Sequence, residues 1–229
     1  MANVPSLQDL MKAGVHFGHQ KSKWYPKMKP YIFVEKNGIH IINLEETQKA
    51  LETALNFITE TVAAGGTVLF LGTKKQARDI VKDAALSCGM PYVTNRWLGG
   101  TLTNAPTVLG LVKKFRKLKE EKASGKLLKY TKKEQLEMAR EIERLETLIG
   151  GIEKLERVPD VLFVVDIKID KTAIKEAIRR KIPVIGLCDT NSNPELVKYP
   201  IPSNDDAIKA LQLMATLVAE TINDVKSKE

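Results

Sequence analysis

The sequence predicts a doubly wound α/β domain of about five parallel strands, interrupted by an inserted pair of helices. Short, solidly apolar runs at 68–71, 161–165 and 184–187 are separated by helical patterns. Such runs are typical of a parallel sheet that is covered by helices on both faces. The segment 106–156 contains no strand pattern and breaks the alternation. We therefore expect residues 1–105 and 157–229 to form the α/β domain, with an N-terminal extension, and 106–156 to form the insertion.

The N-terminal extension contains a short helix and a β-hairpin. Ser6 is a favourable N-cap, and Gly14 lies where the first helix should end. Two apolar segments flank Asn37-Gly38, which is a strong signal for a two-residue hairpin turn. An amphipathic helix then begins at 43–45 and continues to the glycine pair 65–66.

From residue 68 onwards, strands alternate with helices. The predicted strands are 68–71, 92–93, 161–165 and 184–187, and the predicted helices are 74–88, 171–181 and 204–224. In a doubly wound sheet the functional crevice lies beyond the carboxyl ends of the strands. We therefore expect four segments to meet at one edge: 72–75, 95–97, Asp166 and 189–191.

The insertion is predicted to be an antiparallel coiled-coil hairpin. Apolar residues recur at alternating spacings of three and four on both sides of Ser124-Gly125, which is the pattern of a coiled-coil seam. They are Val108, Leu111, Phe115 and Leu118, then Met138, Ile142, Leu145, Ile149 and Ile152. Because a narrow seam leaves most of each helix in water, the hairpin should project from the domain. The glycine pair 150–151 is either a hinge or a point of close packing.

Composition excludes several classes of protein. The chain has 229 residues and is 43% hydrophobic, which is enough to bury a core. Its apolar runs are far shorter than the ~20 residues that a membrane span needs, and its N-terminus lacks the pattern of a secretory signal. Cys88 and Cys188 give neither a disulfide framework nor a zinc cluster. These observations predict a cytoplasmic globular protein.

The net charge of +8 is concentrated in two segments. Residues 1–30 carry five lysines and one aspartate, and 106–156 carries thirteen basic and nine acidic residues, while the rest of the chain is neutral. Such local excesses are typical of surfaces that neutralise nucleic-acid phosphates. In the first segment the lysines are interleaved with Trp24 and Tyr25, which favours binding. For the second segment a solvated lysine-rich face stays open as an alternative.

The predicted strand ends carry candidates for an anion site and a cation site. The loop 72–75 lies between a strand and a helix, where Thr73 would cap the helix and two lysines would help to bind a phosphate. Asp189 follows a strand and 204–206 precedes the last helix. These carboxylates either cap that helix or hold a divalent cation.

Two further groups have a structural and a functional interpretation. In the loop 96–104, Trp97 is expected to plug the top of the sheet, whereas Arg96 is the functional candidate. His16 and His19 lack a third ligand nearby in sequence, which favours hydrogen-bonded loop residues over a metal site.

The chain contains no nucleophile elbow, kinase or metalloprotease motif. The rival hypothesis is an enzyme for a phosphorylated metabolite that uses 72–75 with Asp166 or Asp189.

Motifs along essentially the whole chain resemble the second protein of the small ribosomal subunit in its bacterial form. They are AGVHFGH at 13–19, WYPKM at 24–28, NGIHII at 37–42, GTKKQA at 72–77, RWLGGTLTN at 96–104, VPD at 158–160, DTN at 189–191 and IPSNDDA at 201–207. Ser203, Lys198 and Asp170-Lys171 depart from the residues that are usual in that family.

The resemblance implies a flavodoxin-like, doubly wound sheet with an inserted coiled-coil hairpin, and a structural role in the cytoplasmic ribosome without catalysis. It implies binding to small-subunit rRNA near the junction of head and body, and docking of the large first protein of the subunit. It implies neither a membrane partner nor an obligate homo-oligomer. No cofactor is required, although a divalent metal, zinc or magnesium, held by Asp189, Asp205 and Asp206 would suit the docking interface.

Charge and motifs together select the residues that we expect to contact RNA. Trp24 and Tyr25 would stack on bases or anchor their loop on the domain. The expected phosphate contacts are Lys12, Lys21, Lys23, Lys27, Lys74, Lys75, Arg96, Lys113, Lys114, Arg116 and Lys117.

Overall fold

Two sheets organise residues 4–227, which the computed structural model describes. Strands β1 (Phe17–Gln20), β2 (Ile32–Lys36) and β3 (Ile39–Ile42) form an antiparallel sheet in the order β1-β3-β2. The five strands of the second sheet are parallel and lie in the order β5-β4-β6-β7-β8; they are β4 (Val68–Leu71), β5 (Tyr92–Val93), β6 (Val161–Val164), β7 (Val184–Cys188) and β8 (Tyr199–Pro202). Counted along the chain this is 2-1-3-4-5, the order of flavodoxin-like sheets. The predicted α/β class and the five-stranded parallel sheet are confirmed.

Helices cover both faces of the parallel sheet. They are α1 (Leu7–Lys12), α2 (Leu44–Ala63), α3 (Arg78–Ser87), α4 (Ala105–Ala123), α5 (Lys132–Ile149), α6 (Lys171–Arg179) and α7 (Ile208–Lys226). Because side chains alternate along a strand, Phe70 and Phe163 pack with α2, α3 and α7, whereas Leu69 and Leu162 pack with α4, α5 and α6. Within the described residues, none of these helices is both long and apolar enough to cross a membrane.

Local signals in the N-terminal half are confirmed. The Ser6 side chain accepts the N–H of Asp9 at the start of α1, and the Asn43 side chain does the same for Glu45 at the start of α2. Asn37 and Gly38 both have positive φ, at 53° and 75°. That conformation is the one a two-residue hairpin turn between β2 and β3 requires.

The edge strand β8 is not evident from the sequence pattern because it contains two prolines. Pro200 and Pro202 lie opposite Gly186 and Cys188 of β7. The backbone N–H groups that donate to β7 belong to the residues between and after the two prolines. For example, the Ser203 N–H donates to the Cys188 carbonyl. Both prolines therefore turn their missing N–H towards the free edge, where proline is tolerated.

Two predicted helix starts are wrong by about four residues, and in both cases a side chain has a different partner. Helix α3 begins at Arg78, and Thr73 does not cap it; its hydroxyl donates to Asp170 over 2.8 Å. Burial raises the pKa of Asp170 to about 6. Helix α7 begins at Ile208, and Asn204 instead accepts two backbone N–H groups in the preceding turn.

Helices α4 and α5 form the inserted segment and contact each other. Gly125, with φ of 70°, ends the first helix, and a capping box of Thr131 and Glu134 begins the second. Near the sheet, Phe115 and Leu145 are buried in the same core as Leu162. This half of the helix pair therefore belongs to the domain core and does not project. The coiled-coil geometry and the boundaries 106 and 156 stay predictions.

Close packing accounts for the glycine pair at the end of the insertion. A side chain at Gly151 would overlap the carbonyl oxygen and the ring of Tyr92 in β5. Of the two interpretations of 150–151, the structure favours close approach over a hinge.

Candidate functional site

The N-terminal extension is fastened to the carboxyl edge of the parallel sheet. The backbone N–H of His19 donates to Thr190 Oγ1 over 2.8 Å, and the N–H of Tyr25 donates to the Thr190 carbonyl over 2.7 Å. A side chain at Gly18 would overlap that of Thr190, so only glycine permits this approach. The basic and aromatic residues that follow are thus presented from a fixed position.

Beside this attachment, one ammonium group lies among several carboxylates. Lys74 Nζ is 2.7 Å from Asp205 Oδ1, 2.7 Å from Asp206 Oδ1 and 3.3 Å from Asp166 Oδ2, and its side chain is 13% exposed. Burial lowers the pKa of Lys74, but the hydrogen bonds to Asp205 and Asp206 outweigh burial and raise that pKa above its ordinary value. The structure therefore uses Lys74 as an internal counter-ion, whereas the sequence predicted a phosphate contact.

The carboxylates of this cluster differ in their pKa. Burial, together with the charges of Asp166 and Asp189, raises the pKa of Asp205 to about 7. The hydrogen bond from Lys74 lowers the pKa of Asp206. One ammonium is therefore shared by several carboxylates, which leaves an excess of negative charge that a further cation would relieve.

His19 completes a donor set that the sequence analysis did not assemble. Its Nδ1 lies 3.0 Å from Asp189 Oδ1, and this hydrogen bond raises the pKa of His19. Its Nε2 lies 3.5 Å from Asp206 Oδ2, and ligand atoms of His19, Asp205 and Asp206 are all within 4.8 Å of one another. No sequence spacing relates residue 19 to residues 205 and 206, so only the fold reveals the set.

Asp189 lies behind His19 and accepts hydrogen bonds from several neighbours. Its carboxylate accepts the N–H and the hydroxyl of Thr190, as well as the N–H of Asp205. With these bonds and the one from His19, Asp189 orients the imidazole ring and is not itself in the donor set. The structure thus groups His19 with Asp205 and Asp206, while the trio of Asp189, Asp205 and Asp206 stays a prediction.

The loop 96–104 wraps around a buried carboxylate that the sequence analysis missed. Glu176 of α6 is 7% exposed, and its carboxylate accepts five hydrogen bonds. Oε1 accepts those of Trp97 Nε1 and the Gly100 N–H. Oε2 accepts those of the Leu102 N–H and of the N–H and hydroxyl of Thr103. Burial raises the pKa of Glu176, but these donors together lower it below the usual value. The helical pattern of α6 alone gives no sign of this role.

Trp97 and Arg96 are adjacent in the chain but differ in burial. Trp97 is buried against the core that contains Leu69 and Leu71, so its role as a plug is confirmed. Arg96 is exposed beside it.

The remaining RNA candidates of the extension lie on the surface. Lys21 pairs with Glu35 at 2.7 Å, and Lys27 pairs with Glu195 at 2.8 Å. Trp24 and Tyr25 are both 36% exposed, and the edge of the Trp24 ring meets His40. Lys12, Lys23, Lys75, Arg96 and Lys113 are exposed and have no acidic partner among the described residues.

The candidates on α4 face glutamates. Lys114 lies 3.9 Å from Glu141, and Lys117 lies 3.9 Å from Glu121. Arg116 donates to the carbonyl of Glu153. These three groups are thus partly committed to contacts within the inserted helices.

The rival enzyme hypothesis does not fit this geometry. Its phosphate site needs the loop 72–75 to present free N–H groups and two lysines at a helix start. Helix α3 begins only at Arg78, and Lys74 is surrounded by carboxylates that would repel a phosphate. The crevice between β4 and β6 is therefore an acidic cluster and not an anion site.

The sequence of the chain matches the model of a known protein family. The model described as ribosomal protein S2 matches residues 10–225. The match includes the N-terminal extension, the inserted helices and the acidic cluster. That family comprises structural proteins of the small ribosomal subunit, not enzymes. The chain therefore belongs to the ribosomal protein S2 family.

Proposed function

We propose that this structural protein of the small subunit binds small-subunit rRNA near the junction of head and body, and that it helps to dock the large first protein of the subunit. The N-terminal extension is the observation that carries the RNA part. Its lysines and its two half-exposed aromatic residues belong to a segment that Thr190 holds in place. A preorganised surface loses little conformational freedom when it binds.

The ion pairs of Lys21 and Lys27 do not prevent these lysines from binding RNA. Lys21 and Lys27 keep most of their side-chain surface exposed, and exposed ion pairs contribute only ~0–1 kcal/mol. Phosphate can therefore replace Glu35 and Glu195 as the partner of these lysines. Trp24 and Tyr25 offer ring surface on which unpaired bases can stack.

Replacing Lys21, Lys23 and Lys27 together by alanine should weaken binding to small-subunit rRNA. Each phosphate contact that is lost should reduce the slope of log affinity against log salt by about one, so the triple variant should lose about three. Filter binding over a series of salt concentrations measures this slope.

The matched control replaces Lys82, Lys175 and Lys209 by alanine. These lysines are exposed on α3, α6 and α7. This variant has the same net charge as the first and should keep the original slope. Equal slopes for the two variants would contradict a specific role of the extension.

An apolar groove supports the docking part of the proposal. It has a volume of about 460 Å³ and lies between α1 and the small sheet, with Leu7, Met11, Phe17 and Phe33 among its lining residues. Phe33 is 73% exposed. Clustered, exposed apolar side chains mark protein–protein contact sites, and an apolar segment of the first protein would fill this groove.

Replacing Phe33 by serine should weaken binding of the first protein by about tenfold or more, because aromatic anchors dominate protein interfaces. Binding to rRNA should not change. The control is the change of Ile178 to serine on α6, where another apolar side chain is exposed. Surface plasmon resonance with the first protein separates the two variants, and equal losses would contradict the assignment.

We also propose a divalent metal site at His19, Asp205 and Asp206. The donor set fits a metal because Asp189 accepts the proton of His19 Nδ1, and a metal-binding histidine usually donates its other ring N–H to a carboxylate or a carbonyl in this way. Asp206 turns one oxygen to Lys74 and the other to His19. An imidazole with two carboxylates favours zinc over magnesium. A bound ion would join the extension to the segment after β8.

Replacing His19 by alanine should abolish zinc binding, measured by isothermal titration calorimetry. Replacing His16, which is close in sequence but lies in the apolar groove, should leave zinc binding intact. Zinc binding by the His19 variant with unchanged affinity would exclude the site.

A further inference from the structure

The positive charge of the insertion is confined to the connection between its two helices. We call residues 122–133 the tip. The tip contains no acidic residue and holds five lysines, Lys122, Lys126, Lys129, Lys132 and Lys133. The rest of 106–156 holds eight basic and nine acidic residues. The excess charge of the insertion therefore belongs to the tip alone.

The lysines of the tip are free of internal counter-charges. All five are exposed, and within the described residues no carboxylate lies within ion-pair distance of them. The glutamates that flank the tip have other partners. Glu121 faces Lys117, and Glu134 accepts the N–H and the hydroxyl of Thr131, bonds that lower the pKa of Glu134.

Lys114, Lys117 and Lys119, which lie nearer the sheet, are in the opposite situation. Lys114 faces Glu141 across the helix pair, and Lys119 lies 3.3 Å from Glu146 and 2.7 Å from Glu153. The hydrogen bond to Glu153 raises the pKa of Lys119. These contacts link α4 to α5 and to the segment after it, so they stabilise the insertion and leave little charge for a partner.

The tip is an ordered turn. Gly125 adopts the left-handed conformation that ends α4, Leu127 is buried, and the capping box of Thr131 fixes the first turn of α5. Helix α4 has 19 residues, which corresponds to about 28 Å at ~1.5 Å per residue. The tip is thus held well away from the start of the insertion.

We infer that the tip, and not the paired lysines Lys114, Lys117 and Lys119, is the surface of the insertion that binds rRNA phosphates. The inference rests on the proposed function. Unpaired lysines supply affinity for a polyanion by releasing its counterions, whereas lysine is depleted at protein–protein interfaces.

The test compares two triple variants of the full chain with equal net charge. The tip variant carries Lys126→Gln, Lys129→Gln and Lys133→Gln, and the control carries Lys114→Gln, Lys117→Gln and Lys119→Gln, the lysines of α4 that face glutamates. With full-length bacterial small-subunit rRNA, the salt slope of the tip variant should fall by about three. The slope of the control should fall by less than one. A third variant with arginine at the three tip positions should keep the original slope.

The outcomes separate this inference from the proposed function. If the wild-type chain does not bind the rRNA, both are overturned. If the wild type binds and the Lys21, Lys23 and Lys27 variant loses slope while the tip variant does not, only the inference about the tip is overturned. Equal losses in the tip variant and its control would also overturn it. Thermal melting followed by circular dichroism should give the same Tm for wild type and tip variant, because the replaced side chains are exposed and unpaired.

Discussion

Replacing Glu176 by glutamine should lower the free energy of unfolding by about 3 kcal/mol. The amide nitrogen of glutamine cannot accept the hydrogen bonds that one carboxylate oxygen now receives. Two or three buried donors of the loop 96–104 would lose their acceptor, and hydrogen bonds to a charged group contribute ~1.5–3 kcal/mol each. Urea unfolding at pH 7 measures the loss.

The effect should depend on pH with a defined sign. The pKa of Glu176 is lowered in the folded protein, so its carboxylate stabilises the fold above its ordinary pKa of ~4.3. This contribution is lost as the pH falls through the lowered value. The difference between wild type and variant should therefore be constant near neutrality and shrink in acid.

An exposed glutamate provides the control for the Glu176 variant. Glu52 is exposed on α2, and its change to glutamine should leave stability within ~0.5 kcal/mol of wild type. An equally small loss for the Glu176 variant would mean that the loop does not depend on this carboxylate. Faster amide exchange at Leu102 and Thr103 in the Glu176 variant would locate the damage in the loop.

Replacing Lys74 by methionine should be at least as damaging. The apolar part of the side chain is kept, but Asp166, Asp205 and Asp206 lose their shared ammonium. Removal of one partner from a buried ion pair costs ~3–5 kcal/mol. For a chain of this length we expect Tm to fall by about 6–20 °C at ~2–4 °C per kcal/mol, which differential scanning calorimetry would measure.

The neighbouring lysine provides the control. Lys75 is exposed and has no acidic partner among the described residues, so its change to methionine should leave Tm unchanged. It should instead reduce the salt slope for rRNA by about one. The opposite pattern, a stable Lys74 variant with weaker rRNA binding, would restore the phosphate contact that the sequence predicted for Lys74.

The elements that the sequence predicts well are those whose signals are local. The turn at Asn37-Gly38 and the caps at Ser6 and Asn43 depend on the conformations of a few adjacent residues. The start of α3 could not be found in this way, because Thr73 binds Asp170, which lies 97 positions further along the chain. Strand β8 was obscured by two prolines that only an edge position tolerates.

The site was predicted unevenly for the same reason. Exposed groups such as Arg96 and Lys23 follow from composition, since charged side chains without partners remain in water. The roles of Lys74, Glu176 and His19 depend on partners more than 70 residues away. A lysine that follows a strand has the same local pattern whether it faces a phosphate or three carboxylates.

The attachment of the N-terminal extension has a consequence for the order in which the protein matures. Thr190 and Asp189, which hold His19 and Tyr25, lie some 170 positions after them in the chain. Synthesis proceeds from the N-terminus at ~5–20 residues per second. The lysines of the extension therefore leave the synthesising ribosome about 8–34 seconds before their anchor exists, and they acquire a fixed arrangement only when β7 has been made. A truncated chain would carry the same charges without that arrangement, so incomplete copies would be poor competitors for the assembling subunit.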